Sequence, residues 1–220
     1  QPNATLKNSG IEWIGEIPCH WVVCKMKNLL CGIQDGTHGT FATVENGQYL
    51  LSAKNVSETG IVIDSKERCI SQKDFNEIIS NGYPQKGDIV LCCVGTIGRG
   101  CIYEYDYPMA FQRSVTFLRP NSRTDKSYLM YLLRSSVTLP QYELFAKTSA
   151  QSGLYMGAVS NLTAILPPLE EQQAIADYLD AYCAKVDAAV AEIKAQIADL
   201  KSYKQSLISE AVTGKICVTE

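Results

Sequence analysis

A long stretch without proline or glycine, residues 169–213, constrains this chain more than any other feature of its sequence. It directly follows Pro167 and Pro168, and proline suits the first turn of a helix because the N–H that it lacks would have no partner there. Gly214 follows the stretch, and glycine commonly terminates helices. The sequence therefore predicts one helix over residues 170–212, roughly 65 Å long at 1.5 Å per residue.

The predicted helix carries an apolar stripe whose members are mostly three or four residues apart, with two successive steps of four around Val186 that interrupt a heptad pattern. A domain of about 165 residues is only on the order of 40 Å across, so we expect the helix to project and to pair with a second helix. A helix folded back over its own domain is the alternative. The helix-pairing candidates are Ile175, Leu179, Tyr182, Val186, Val190, Ile193, Ile197, Leu200 and Leu207.

The first 166 residues alternate short β-rich runs with turn residues. The runs cover residues 49–51, 60–63, 88–94, 101–103 and 114–118. Apolar residues at helical spacing predict two short helices, over residues 72–80 and 126–136. The predicted fold class is α+β: a globular mixed α/β domain over residues 1–166, followed by one long C-terminal coiled-coil helix within residues 167–220.

Charge and cysteine content narrow the function classes. Residues 1–166 carry 15 basic and 14 acidic side chains, whereas residues 167–220 carry 5 and 9, so the overall acidity belongs mostly to the tail. The nine cysteines form no Cys-x-x-Cys pair, and only two histidines are present, which excludes the usual zinc-finger spacings. Buried thiols predict a reducing cytoplasm, and no apolar run is long enough to span a membrane.

The residues of common DNA enzymes do not occur in suitable contexts. The triplet Glu192-Ile193-Lys194 lies in the middle of the predicted helix, where a solvated face explains it better than a nuclease site. The segment of residues 95–100 (GTIGRG) lacks a phosphate-loop ending and predicts a hairpin turn that presents Arg99. His20 and His38 have no partnered nucleophile in sequence. We therefore expect a binding protein that is not an enzyme and that holds no metal or cofactor.

Four segments together resemble the DNA specificity subunit of type I restriction-modification systems. They are SGIEWIGEIPCHW at residues 9–21; DGTHGT at 35–40; KGDIV at 86–90 continuing to QRS at 112–114; and LPPLEEQQAIA at 166–176, leading to EAVTGKI at 210–216. The segments cover most of the chain in the order of the family. Cys19 departs from the pattern, where a charged residue is more usual.

The resemblance implies a target-recognition domain that reads one part of a split DNA site, and a helix that pairs with a second helix as a ruler. It also implies docking of methyltransferase subunits, which bring S-adenosylmethionine and flip the target base, and of a restriction subunit; ATP and magnesium belong to these partners. The family usually has two recognition domains and two helices in one chain. Here there is one of each, so either two copies associate, with a symmetric target, or the chain is half of a longer subunit.

Residue type and position in loops select the candidates for contact with double-stranded DNA, because Arg, Lys, Asn, Gln, Ser and Thr read base edges and grip phosphates. They are Thr37, His38, Lys54, Asn55, Thr96, Arg99, Gln112, Arg113, Ser114, Lys147, Thr148, Ser149, Gln151, Ser152 and Tyr155.

Two other functions stay open at this point. The chain could be a coiled-coil assembly protein without base-specific DNA binding, in which the globular part only docks a partner. It could also be a stand-alone DNA enzyme, which the missing motifs disfavour. Salt-dependent, sequence-preferring DNA binding distinguishes the leading hypothesis from the assembly protein.

Overall fold

The computed structural model describes residues 5–148, 153–216 and 218, and for residues 146–148 the backbone only. This part of the chain contains the strands β1 (Leu6–Asn8), β2 (Glu16–Pro18), β3 (Val22–Lys25), β4 (Leu30–Asp35), β5 (Gln48–Leu51), β6 (Cys69–Ile70), β7 (Ile89–Cys92), β8 (Gly100–Ile102), β9 (Ala110–Phe111), β10 (Val115–Pro120) and β11 (Thr163–Leu166). Its helices are α1 (Gln72–Ser80), α2 (Lys126–Arg134), α3 (Leu139–Thr148), α4 (Met156–Asn161) and α5 (Leu169–Val212).

Helices α1 and α2 confirm the two short helices predicted from periodicity, and each begins at a side-chain cap. The Ser71 hydroxyl accepts a hydrogen bond from the Asp74 N–H at 3.1 Å. The Asp125 carboxylate accepts one from the Tyr128 N–H at 2.9 Å. Such caps satisfy N–H groups that the first helical turn leaves without a partner, so these two residues fix where the helices begin.

The largest sheet is antiparallel and has the strand order β4, β10, β7, β8. Strand β10 is central: Phe117 lies opposite Gln34 of β4 on one side and opposite Val90 of β7 on the other. Strands β7 and β8 form the predicted hairpin around residues 95–98. The predicted strands at residues 88–94, 101–103 and 114–118 are thereby confirmed to within their ends.

The described residues also form three smaller sheets: β1 with β2, β3 with β11, and the order β6, β5, β9, in which β5 and β9 are parallel. The predicted strand at residues 60–63 is wrong. Only Ile61 makes an isolated bridge, to Val56, and Val62 and Ile63 are exposed. The β-branched composition there suits a strand, but the turn that closes from Ser57 to Gly60 leaves the run without a neighbouring strand to pair with.

The main core lies on one face of the large sheet and contains an edge-to-face pair of Phe111 and Phe117, with ring centroids 5.6 Å apart. Cys92 and Cys101 belong to this core, and Cys93 is buried as well. Burial raises the pKa of the Cys93 thiol to about 12, so that thiol is neutral at physiological pH.

Helix α5 confirms the long helix predicted from sequence. Contacts divide the chain into one unit that ends at Ala174 and a second that begins at Ile175. In the second unit residues 180–209 are all exposed, including the stripe residues Val190, Ile193 and Leu200, at 41%, 55% and 66% exposure. Among the described residues no helix is both long and apolar enough to cross a membrane.

The first turn of α5 is anchored by a buried polar side chain, Gln172, which has no solvent exposure. Its amide oxygen accepts from the Asp125 N–H at 2.9 Å. Its amide nitrogen donates to the carbonyls of Arg123 and Pro167, at 2.9 and 2.8 Å. Because three backbone groups from two segments converge on one amide, Gln172 fixes the position of the first turn of α5 relative to these segments.

Glu171, in the same turn, binds the opening segment of the chain. The Trp21 indole N–H donates to one carboxylate oxygen at 2.9 Å, and His20 Nε2 lies 2.6 Å from the other. The hydrogen bond from Trp21 and that of His20 lower the pKa of the Glu171 carboxyl below its usual range. The LEEQQ segment therefore joins the opening segment of the chain and the loop before α2 to the start of α5.

We predict that Gln172→Glu destabilises the protein by at least about 3 kcal/mol, because a carboxylate would face two carbonyl oxygens in a buried position without a compensating cation. Gln173→Glu is the matched control: it adds the same charge at the next, exposed residue and should change stability by about 0.5 kcal/mol or less. Chemical denaturation at pH 7 measures both. Equal stability of the two variants would contradict the anchoring role.

Candidate nucleic-acid interface

The segment of residues 111–114, which enters β10, brings three predicted loops together through its backbone. The Thr37 N–H donates to the Phe111 carbonyl at 2.7 Å, and the Arg113 N–H donates to the Thr37 carbonyl at 3.0 Å. On the other side, the Gln112 N–H donates to the Leu51 carbonyl at 2.8 Å, next to the loop that carries Lys54. Residues far apart in sequence, such as Thr37 and Arg113, thus become neighbours by main-chain bonding.

Ser114 adds a contact to the loop that carries Lys54 and extends the network to the end of β7. Its hydroxyl accepts from the Ala53 N–H at 3.0 Å, and its carbonyl accepts from the Cys93 N–H at 2.9 Å. The Cys93 carbonyl in turn accepts from the Leu154 N–H at 2.7 Å, one residue before Tyr155. We call the residues assembled in this way the loop cluster: Thr37, His38, Lys54, Thr96, Gln112, Arg113, Ser114 and Tyr155.

The loop cluster contains both charged and neutral polar side chains. His38, Lys54, Thr96 and Arg113 are exposed, and Tyr155 is 41% exposed. The remaining members, Thr37, Gln112 and Ser114, are half-buried. This arrangement of cations, hydroxyls and an amide around one backbone network is suited chemically to contact phosphates and base edges.

Arg99 does not project from the hairpin turn as predicted. Its guanidinium turns inward, and Nη2 donates to the Ala53 carbonyl at 2.8 Å. Its Nε is buried without a hydrogen-bond partner among the described residues. The prediction that Arg99 is presented to DNA is corrected accordingly: at this turn Thr96 is an exposed polar side chain, whereas Arg99 is half-buried.

Asn55 is also turned into the protein and is only 2% exposed. Its amide oxygen accepts from the Ser52 N–H at 3.0 Å, and its amide nitrogen donates to the Val62 carbonyl at 3.0 Å. These bonds close the turn in which Lys54 lies. The structure therefore corrects Asn55 from a candidate DNA contact to a residue that shapes the loop.

Lys54 extends over a buried carboxylate. Its Nζ lies 2.8 Å from an oxygen of Glu67, whose side chain is 5% exposed, whereas the lysine side chain is 65% exposed. The hydrogen bond from Lys54 is the main reason that the pKa of the Glu67 carboxyl lies below its usual range, and Asn55 adds to it. Glu67 thus binds the ammonium group of Lys54 while most of the lysine side chain stays exposed to solvent.

Two further cations, Lys66 and Arg68, line the same concave surface as Lys54, and sequence reasoning missed both. Lys66 is exposed, while the Arg68 guanidinium donates to the Phe41 carbonyl and to the Thr43 hydroxyl. Their local pattern, Lys-Glu-Arg, alternates in sign and gives no basic run. Only the return of the chain at β6 places them beside the loop cluster.

A series of hydrogen bonds leads from the buried Cys93 thiol to Asp35, which lies next to His38. The Cys93 thiol donates to the Thr116 hydroxyl at 3.0 Å, and that hydroxyl donates to Asp35 Oδ1 at 2.5 Å. The other oxygen of Asp35 lies 3.8 Å from His38 Nε2. Neither Thr116 nor Asp35 was a candidate from sequence, because each acts through partners far away along the chain.

Five candidates fall where the structure describes little or nothing. Ser149, Gln151 and Ser152 lie outside the described residues. Lys147 and Thr148 end α3, and their side chains also lie outside the described part. Among the residues that are described, no group of three or more His, Cys, Asp or Glu side chains is placed to hold a metal ion.

Comparison with known proteins gives one consistent family. A family model described as "Type I restriction modification DNA specificity domain" matches residues 39–199. The chain is 29% identical over 216 residues to the type I restriction enzyme MjaVIII specificity subunit of Methanocaldococcus jannaschii. That match covers 93% of this chain and 48% of the relative, so the chain spans about half the length of the curated relative.

Solved structures show the same fold at low identity. A chain from a study of complex assembly and conformational transition of the type I R-M system superposes with a TM-score of 0.68 at 20% identity, covering 94% of this chain and 48% of that one. The crystal structure of the HsdS subunit from Thermoanaerobacter tengcongensis gives 0.59 at 20% identity, covering 96% and 48%. Both confirm the predicted α+β fold with its long C-terminal helix.

The ion pair of Lys54 and Glu67 predicts a pH-dependent stability. A carboxyl whose folded-state pKa is lowered stabilises the fold above its unfolded pKa, and this contribution is lost as the pH falls through the folded-state value. In Lys54→Met the buried carboxylate loses its main partner. We expect the variant to be less stable than the wild type by about 1 kcal/mol at pH 7, the solvent around the lysine limiting the effect.

The difference in the free energy of unfolding between wild type and Lys54→Met should shrink as the pH falls from 7 into the acidic range in which Glu67 takes up a proton. Urea denaturation across that pH range measures it. Lys66→Met, which removes the same charge from an exposed neighbour, should show a small difference that does not change with pH. A constant difference for Lys54→Met would contradict the coupling.

Proposed function

Because this chain belongs to the type I restriction-modification DNA specificity family, we propose that it reads one half of a bipartite DNA target and catalyses no reaction itself. The observation that carries the proposal is the loop cluster, in which side chains from separate loops share one backbone network centred on residues 111–114. A rigid set of donors on several loops is what direct readout of base edges requires.

The charge balance of the recognition domain supports sequence-specific contact with DNA rather than strong nonspecific binding. Its basic and acidic side chains are nearly equal in number over residues 1–166, so a large nonspecific attraction is not expected. Lys54 and Arg113 place positive charge at the cluster, which also contains the hydroxyl groups of Thr37, Thr96 and Ser114. Cations of this kind either grip phosphates or read the acceptor edge of guanine, while neutral donors and acceptors distinguish the other bases.

We propose further that α5 pairs with the α5 of a second copy, or with the corresponding helix of a longer subunit's other half. Its exposed stripe of Val, Ile and Leu supports this, because such a surface is normally covered in solution. Two copies would form a twofold pair and read a symmetric split target.

The paired helices would set the spacing between two recognition domains and dock methyltransferase and restriction subunits in the cytoplasm. S-adenosylmethionine, ATP and magnesium would then be bound by those subunits. If the chain is instead only a coiled-coil assembly protein, the stripe would be retained while sequence-dependent DNA binding would be absent.

We predict that Arg113→Ala weakens binding of target DNA by the complex reconstituted with its methyltransferase subunits, by about 1–3 kcal/mol. Methylation at the target should fall in parallel. Arg123→Ala is the matched control, since it removes an equal charge from an exposed residue in the loop before α2, outside the loop cluster. The readouts are the affinity for target DNA over a salt series and the rate of methylation. Equal values for both variants would contradict the proposed DNA-reading surface.

For the helix, we expect Ile193→Glu with Ile197→Glu to convert a dimer of the purified chain into a monomer, because two carboxylates would be buried in an apolar seam. Ala191→Glu with Ala195→Glu is the control: it has the same charge and spacing but lies on the opposite helix face. Light scattering behind a sizing column gives the molar mass. A monomeric wild type would contradict self-pairing and the symmetric target that depends on it.

A further inference from the structure

We propose that Ser114 and Arg99 are positioning residues for target specificity, because together they fix the peptide of Ala53 and thereby the direction in which Lys54 meets DNA. The inference rests on the proposed function, since it requires the loop cluster to face DNA. It assigns to Arg99 a role different from the direct contact that its residue type suggests.

The Ala53 backbone is held at both its N–H and its carbonyl by side chains from two other loops. The Ser114 hydroxyl accepts from the Ala53 N–H at 3.0 Å. Arg99 Nη2 donates to the Ala53 carbonyl at 2.8 Å, and the Cys92 thiol donates to the same oxygen at 3.5 Å. These contacts act on the main chain of the residue just before Lys54, so they constrain the backbone from which the lysine extends.

The environment of Arg99 indicates that its hydrogen bond to the Ala53 carbonyl outweighs the free-energy cost of burying part of its guanidinium. Burying part of a guanidinium is unfavourable unless its hydrogen bonds are made, yet the Nε of Arg99 is buried without a partner among the described residues. Val94 and Thr96 in the same turn are exposed, whereas the Arg99 side chain is half-buried. The side chain nevertheless reaches inward to Ala53, which points to the placement of that loop as its role.

The other side of Lys54 is fixed as well. Asn55 is buried and closes the turn through bonds to the Ser52 N–H and the Val62 carbonyl. The lysine itself lies against Glu67 but keeps 65% of its side chain exposed. Lys54 is therefore an exposed cation between two immobilised residues. A donor that reads a base edge has to be held within about 0.5 Å of its productive position, and the fixed backbone on both sides of Lys54 favours such placement.

The test uses the complex with its methyltransferase subunits in a host that lacks other adenine and cytosine methylation. Sequencing of methylated bases in the genomic DNA gives the methylated fraction at the target and at every one-base variant of it. We expect Lys54→Met to lower discrimination at one base pair by about fivefold or more, the lower limit for a good base contact. Ser114→Ala and Arg99→Met should lower it at that same base pair and leave the other base pairs unchanged.

Two controls separate positioning from folding. Ser114→Thr keeps the hydroxyl and should retain wild-type discrimination, whereas Ser122→Ala removes a hydroxyl from an exposed loop residue outside the cluster and should have no effect. A purely structural role for Ser114 or Arg99 would lower the thermal midpoint and reduce methylation equally at all sites, without a change at one base pair.

The outcomes distinguish this inference from the proposed function. If Lys54→Met affects one base pair but Ser114→Ala and Arg99→Met affect none or all equally, the positioning role is overturned. If Lys54→Met affects no base pair while Arg113→Ala still weakens target binding, the inference fails and the reading surface remains. If neither Lys54→Met nor Arg113→Ala has an effect, the proposed reading surface itself fails.

Discussion

The two-sided pairing of β10 is the interaction on which the rest of the recognition domain depends. This strand hydrogen-bonds to β4 and β7 at once, and the segment just before it carries the main-chain bonds to the loops around Thr37 and Leu51. A shift of its register by one residue would exchange the faces of Phe117 and Leu118 and would also move every loop of the cluster. Core packing and loop placement are thus set by the same strand.

The sequence could predict those elements whose signals are local. Helix α1, helix α2 and helix α5 follow from periodicity, caps and the absence of proline and glycine, and each lies close to where it was expected. Strand pairing is different, because it depends on residues far apart in the chain. The parallel pair of β5 and β9 left no local signal, and residues 60–63 have strand-like composition but no partner strand.

The candidate site shows the same limit at the level of single side chains. Arg99 and Arg113 have the same chemistry and both lie in loops, yet Arg99 is bonded to the Ala53 carbonyl and Arg113 is exposed. Lys54 and Asn55 are adjacent, and only the first reaches solvent. Residue type therefore selects which side chains can bind DNA, while orientation is decided by backbone groups that become neighbours only in the folded protein.

Helix α5 combines a buried polar start with an exposed apolar length, which is the reverse of the usual distribution. Gln172 satisfies three backbone groups in the first turn, so the start is specified by hydrogen bonds. Beyond it, alanine-rich sequence maintains the helix by propensity, while the stripe through Ile193 and Ile197 gains nothing from exposure. Burial of the stripe against another helix would stabilise it, so the exposed apolar length of the tail supports the proposed helix pairing, as the loops support the proposed recognition of DNA.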